Sequence, residues 1–423
     1  MIRYPLNIFV VTFGLWMFWY VLLMIWLFYS VAASADTIDE RMEQQFCEQI
    51  IARLDRIDSN YECDYAPISW EAGLNLSDNN GIVPVRLADS NLDLTTPIKQ
   101  ILMLSPKWSS AYDVTTATII EQFARRGIKA EFIMYNYLGK QTNAKAMLKN
   151  AEYHGTDLIF SVGSATTALM SEVYHQGLIP VVSACSKDPV SIGQVDAEIG
   201  MSESNIAYTS LNIDVATQVS YLKEKFLTNL QQIAVIYDQN NPSSIITQVK
   251  PLVEYLSQNE TGIGVRLIEV EFSNLESTLY RPMREAVASS KEVGDTIFLV
   301  TGSTEIFNII RDINNEAEQV PVLSVTPSHV KEGEQSVFVA IGVSFKTNAK
   351  LAADYAYRIL KGEAHTATLP VGVVSTPDIS INFLRKPARH LRVPITFFED
   401  SVFIYNYQGK AVRKNGENVR PVH

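Results

Sequence analysis

From Ile98 onward the sequence alternates, twice over, between short apolar strands and amphipathic helices, and few folds accept that alternation. The first series runs through the strand KQILMLS, the helix SAYDVTTATIIEQFARRG, the strand KAEFIMY and the helix TNAKAMLKNAEYHG. It continues with TDLIFSVG, a helix from Ser164 to His175, and IPVVSAC. Gly127 and Gly155 close the first two helices, as a glycine just past the last apolar-periodic residue does. A second series starts after Asp214 with VATQVSYLKEKFLTNL, QQIAVIYD, SSIITQVKPLVEYLSQN and GVRLIEVEF. A helix near Leu279–Ser290, DTIFLVTG, TEIFNIIRDINNEA and VPVLSVT complete it. Strands written as unbroken apolar runs are buried on both faces, which calls for parallel sheets covered by helices on either side.

The spacing therefore predicts an α/β protein of two similar, Rossmann-like parallel-sheet lobes joined by a hinge. Lobe 1 spans 98–212 and lobe 2 spans 213–338. The remaining strand SVFVAIGVS, helix NAKLAADYAYRILKGE and strand near LPVGVVST suit a chain passing back between the lobes. Residues 339–423 are thus read as a return crossing and C-terminal segment completing both.

Ahead of the lobes, residues Asn7 to Tyr29 form a run without a single charge. At ~1.5 Å per helical residue it is long enough to cross a hydrocarbon core of about 30 Å. Ala33-Ser34-Ala35 before Asp36 suits signal peptidase, although a signal core is usually only about 7–15 residues. Residues 1–35 are accordingly a signal peptide or a transmembrane anchor, and both place the chain from Asp36 onward outside the cytoplasm. No cysteine stands just after the run, which argues against a lipid anchor. Residues 36–97 read as an N-terminal extension packed on the main body. It has Phe46, Ile50, Leu54 and Ile57 at helical spacing, and SDNNG and LADSNLD as turns and loops. In an exported chain a Cys47–Cys63 disulfide is available, with Cys185 a buried thiol; the alternative is three unpaired cysteines.

Charge and motifs exclude several functions. A net charge of −11 with no concentrated basic face argues against nucleic acid. No C-x-x-C pair or His/Cys cluster suggests a metal site. No dinucleotide or phosphate loop, nucleophile elbow or H-E-x-x-H motif occurs, and the six histidines are scattered. The expectation is a monomeric binding protein without catalytic residues, metal or cofactor.

In open parallel sheets ligands bind beyond the carboxyl ends of the strands. The loops there supply, in lobe 1, Trp108, then Gly163, Ser164, Ala165 and Thr166, then Ser183 and Asp188. Lobe 2 supplies Tyr237, Asn240, Ser243 and Ser244, then Gly302, Ser303 and Thr304, and the return crossing adds Gly342 and Ser344. Gly163-Ser164 and Gly302-Ser303-Thr304 hold equivalent places, where backbone N–H groups and hydroxyls suit an anionic group. Ordinary N-capping also puts Ser and Thr at helix starts. Trp108 and Tyr237 are candidates to sandwich a flat ligand part, with plain core contact as the alternative for Trp108. Asp188 either holds a ligand ammonium or caps the next turn. Lys107 and Lys187 read as solvated.

TDLIFSVGSATTALM, followed by IPVVSACSKDPVSIGQV, resembles the ABC-transporter substrate-binding family that includes tryptophan- and tyrosine-type binders. QQIAVIYDQNNPSS and YAYRILKGEAHTATLPV add to the resemblance, which runs from about Ile98 to about Ile404. It implies a type I periplasmic-binding-protein fold and capture of a small polar solute, an amino acid or similar, by hinge closure. It also implies delivery to an ABC permease on a separate chain, in the periplasm or at the extracytoplasmic face of the membrane. The alternative role is a membrane-tethered sensor coupled to a signalling receptor. The chain departs from the family where Ser105-Pro106-Lys107 replaces a His-Pro pair, and where Ser344-Phe345 replaces an acidic and aromatic pair.

Overall fold

Two sheets carry the structure, a computed structural model that describes residues 48, 50–52, 61–64, 85–89, 97–385, 387 and 390–419. The expected signal or anchor over 1–35 and the Cys47–Cys63 pairing lie outside the described residues. Among those described, no helix is long and apolar enough to cross a membrane.

The first lobe contains β1 (Tyr61–Asp64), β2 (Val85–Asp89), β3 (Lys99–Ser105), α1 (Ser110–Arg125), β4 (Ala130–Asn136) and α2 (Gln141–Tyr153). It continues through β5 (Leu158–Val162), α3 (Ser164–Val173), β6 (Val181–Ala184) and β7 (Ile206–Ala207). The sheet order is β1-β2-β4-β3-β5-β6-β7, parallel from β4 onward. The two edge strands are antiparallel, with Val85 opposite Met134 and Tyr61 opposite Asp89. Part of LADSNLD, expected to be loop, is therefore strand, and the extension lengthens this sheet.

The second lobe opens with α4 (Val215–Ser220, continued by Tyr221–Phe226 in π form), β8 (Gln232–Asp238) and α5. Helix α5 is made of the contiguous segments Pro242–Ser244, Ile245–Val249 and Lys250–Gln258. Next come β9 (Gly264–Val270), α6 (Glu276–Tyr280 and Arg281–Ser289), β10 (Thr296–Val300), α7 (Thr304–Asn308 and Ile310–Glu316), β11 (Val322–Ser324) and β12 (Val339–Gly342). After α8 (Phe345–Leu360) the chain adds β13 (Asp378–Asn382), β14 (Ser401–Tyr405), β15 (Ala411–Lys414) and β16 (Glu417–Asn418). The order is β16-β15-β14-β13-β12-β11-β10-β8-β9. The strand expected near LPVGVVST is a connection making isolated bridges, Met201 to Pro370 and Thr209 to Gly372. The strand proper, β13, comes after it and runs antiparallel to β12.

The central strands of both sheets are buried on both faces. Ile101 and Met103 of β3 enter one core with Phe123, Phe132 and Phe160, while Leu102 and Leu104 enter the other. In β8, Ile233 and Val235 alternate in the same way with Ala234 and Ile236. Period-2 alternation with both sets apolar is what turns a strand into an unbroken hydrophobic run.

Within the described residues the chain crosses between lobes three times, between β7 and α4, between β12 and α8, and between α8 and β13. Helix α8 belongs spatially to the first lobe. Ala349, Ala352, Ala353 and Ala356 are fully buried in its core, and α8 lies against α1. Small side chains at i, i+3, i+4 and i+7 keep that helix close to its neighbour. Arg126 reinforces the contact, 3.0 Å from Asp354 and over the Tyr357 ring.

Candidate functional site

Each lobe has its strand order reverse beside its first parallel strand, β3 or β8, and the loops beyond the strands' carboxyl ends face one another. A cavity of about 420 Å³ lies between them. Ser109, Ser110 and Lys187 line it from the first lobe, and Leu211, Val343 and Phe345 from the crossings. The second lobe contributes Gln248, Gly302, Thr304, Phe307, Thr326 and Lys331, with His329 below them. This is where doubly wound sheets accept ligands.

Lys187 is placed by a loop tied on every side. At its start Cys185 takes a left-handed conformation (φ 54°), and its N–H donates to Asn348 Oδ1 at 2.7 Å. Lys187 N–H donates to Ser164 Oγ at 3.0 Å, and Asp188 N–H to Asn212 Oδ1 at 3.0 Å. So fixed, the lysine sends its ammonium across to lobe 2, donating to Ser243 Oγ at 3.1 Å and Ser244 Oγ at 2.6 Å. Burial pulls its pKa down to about 8, because the charged form has lost water. Ser244 Oγ also donates to Gly302 O, and Gly302 N–H donates to Gln248 Oε1 at 2.8 Å, so the facing wall is equally built.

Below that wall the His329 ring stacks on Phe307, centroids 4.5 Å apart, and its Nδ1 is 2.8 Å from Ser324 Oγ. Burial, helped by the nearby Lys331 charge, pulls its pKa down to about 3, so the imidazole is neutral. The Lys331 ammonium sits 4.4 Å from the Phe307 centroid. Cys185 is an unpaired, buried thiol pushed up to about 12, and so is not a nucleophile at neutral pH.

Of the residues singled out in the sequence, Gly302 and Thr304 line the cavity, while Ser164, Ser243 and Ser244 hold Lys187. Gly163 (φ 91°) lies under the Tyr112 ring, where an added Cβ would be 2.4 Å from the hydroxyl. Thr166 is buried and donates to Tyr137 Oη, whereas Ala165 is exposed. Ser183 is inside β6 and accepts from Thr209 N–H. Asp188 accepts from Ser191 N–H and Oγ, as a residue capping the next turn does. Trp108 lies partly buried on the first lobe's core, and Tyr237 is buried in the second's. Asn240 is exposed, and buried Ser303 reaches toward Asp238 Oδ2. Gly342 lets strand backbones approach, since a Cβ there would stand 1.8 Å from Val325 O. Ser344 caps α8, accepting from Thr347 N–H.

Lys187, read as solvated, instead faces the cavity. Gln248, Phe307, His329 and Lys331 come to it without a signal in their own segments, and Phe345, noted in the sequence as part of a departure from the family's pair, lines it too. Gln248 is half-buried in a helix whose sequence periodicity marks only the core-facing side, and Phe307 belongs to that side and reads as one more core residue.

The sequence pattern of the family described as "ABC transporter substrate binding protein" matches residues 109–398, more than half of the chain. The chain belongs to that family. Its fold is shared with a ligand-free, open substrate-binding protein with adhesive properties from Clostridium difficile, at 20% identity and a TM-score of 0.59. That match covers 73% of this chain and 99% of the other. An ABC domain from Streptococcus pneumoniae in complex with L-Trp matches at 18% identity and a TM-score of 0.54, covering 73% and 100%. A conserved domain protein from Vibrio cholerae matches at 17% identity and 0.54, with the same coverage. No curated protein matches the sequence. The resemblance read from the sequence is thereby met, and this substrate-binding protein falls in a family of binding proteins rather than enzymes.

Proposed function

We propose that this substrate-binding protein captures a small polar solute by hinge closure outside the cytoplasm and delivers it to a separately encoded ABC permease. The observation that carries the reading is the cavity lined by both lobes and by the crossings between them. A solute seated there touches lobe 1 through Ser109, Ser110 and Lys187, and lobe 2 through Gln248, Gly302 and Thr326. Such a ligand binds the closed arrangement better than the open one and shifts the population toward it. Moving a closed fraction from about 1% to about 99% needs about 5.5 kcal/mol of differential binding. Several hydrogen bonds made only on closure, some to charged groups, are of that size together.

The apolar run over Asn7 to Tyr29 supports the extracytoplasmic location, as leader or as anchor. A thermal-shift screen against amino acids, organic acids, nucleosides and sugars identifies the solute through its stabilisation of the folded state. Small-angle scattering with and without that solute is then expected to show a smaller radius of gyration. A bound solute that leaves the radius unchanged would refute closure.

A further inference from the structure

We infer that the ligand of this cavity is an organic anion carrying no ammonium group, with its negative end on Lys187 and its carbon skeleton against Phe307 and Phe345. The inference deepens the solute-binding reading and rests on it. The charges on the cavity wall decide the matter. Lys187 and Lys331 line it, and none of the described lining residues is Asp or Glu. Yet the chain as a whole is acidic, with a net charge of −11, so this lining is not a sample of the general surface. Among the described residues, the partners of the Lys187 ammonium are two hydroxyls, from Ser243 and Ser244. Neutral acceptors compensate a buried cation less well than a counter-charge does, and the depressed Lys187 pKa agrees with that deficit.

A ligand carboxylate supplies the missing charge. The N-terminal turn of α1 opens on the same cavity at Ser109, Ser110 and Ala111, and the positive end of its dipole adds to the preference for negative charge although Ser109 already caps the Ala111 N–H. A ligand ammonium would meet two lysines and no carboxylate, which is the wrong pairing for an interior charge. An amino acid would satisfy Lys187 at one end only. Its deaminated counterpart loses nothing and avoids the repulsion. Lys187 already reaches into lobe 2, so neutralising it stabilises the closed lobes as well as the ligand.

Two carbon skeletons, each in three charge forms, test this on the whole protein. 3-Phenylpropionate, L-phenylalanine and phenethylamine make one set, and hexanoate, L-norleucine and pentylamine the other. Calorimetry at pH 8 in two buffers of different ionisation heat reads affinity and proton uptake together, and scattering reads closure. The expected result is that an acid of at least one set binds at least tenfold tighter than its amino and amine counterparts. Binding should take up as much as about half a proton, because an adjacent anion raises the Lys187 pKa from near the working pH. Lys187→Met should lose tenfold or more in acid affinity and abolish the uptake, while Lys187→Arg keeps the affinity and also loses the uptake. An amino acid matching or exceeding its acid, or Lys187→Met binding the acid as tightly as the unaltered chain, overturns the anion assignment and leaves solute binding standing. Silence from all six, while a neutral solute from the screen closes the lobes, counts the same way. Silence throughout removes both.

Discussion

Burial acts on two bases of the cavity in the same direction and leaves them in different states at neutral pH. Lys187 falls to about 8 and stays mostly charged, whereas His329 falls to about 3 and is neutral. On the proposed anion binding the first answers the ligand; the second is a structural ring, stacked on Phe307 and bonded to Ser324. An unfolded histidine titrates near 6.5. Between about 6.5 and 3 the unfolded chain therefore holds a proton that the folded His329 refuses, so stability falls as pH drops through that window. The slope from this one group is at most about 1.4 kcal/mol per pH unit. Urea unfolding from pH 7 to 4 should show His329→Asn losing less stability over that range than the unaltered chain. Parallel slopes would mean that the imidazole titrates normally in the fold.

Among the elements, α8 joins most of the molecule's parts. Asn348, fully buried, donates from Nδ2 to Thr209 Oγ1 and Ser210 O at 3.1 Å each, and accepts from Cys185 N–H. One side chain thus ties the return helix to the first crossing and to the loop that presents Lys187. Asn348→Leu would strand the Cys185 N–H and the Ser210 carbonyl, costing about 1–3 kcal/mol for each group left unpaired. Denaturant unfolding should show at least that loss, with ligand affinity falling as well because the Lys187 loop is released. A stability change under about 0.5 kcal/mol would show that the network is not taut.

The strand-helix alternation was legible because each strand buries two apolar faces and each helix one, and such patterns survive in a linear sequence. The edge strands β1 and β2 and the C-terminal β14 to β16 were not. Their segments are short, lie among polar turns and gain strand character only by pairing with a sheet built elsewhere. The site divides in the same way. Hydroxyl loops after the strands were visible from the topology, so Ser164, Ser243, Ser244 and Gly302 stood out. Whether a lysine in such a loop faces water or a cleft depends on what the other lobe brings opposite it. For Lys187 that is Ser243 and Ser244, 56 and 57 residues further along the chain. Phe307 and His329 meet for a similar reason, through the folding of α7 against the loop after β11.

At the scale of the whole molecule, the segment from 98 to 212 does not contain its own complete core. Four alanines of α8 fill it from beyond residue 342. A fragment ending at residue 212 should bind a hydrophobic dye and unfold without a sharp transition. The same fragment joined through a flexible linker to residues 343–363 should recover cooperative unfolding. If the short fragment already unfolds sharply and excludes dye, α8 is a covering and not a part of the core.

Three crossings is an odd number. A chain that changes sides an odd number of times leaves the two ends of its described part on different sheets, and here β1 belongs to one sheet and β16 to the other. On the proposed closure, β1 and β16 would ride on opposite jaws. A pair of labels, one beside each of these two strands, would therefore work as a goniometer for the proposed hinge, with no probe placed in the cleft itself.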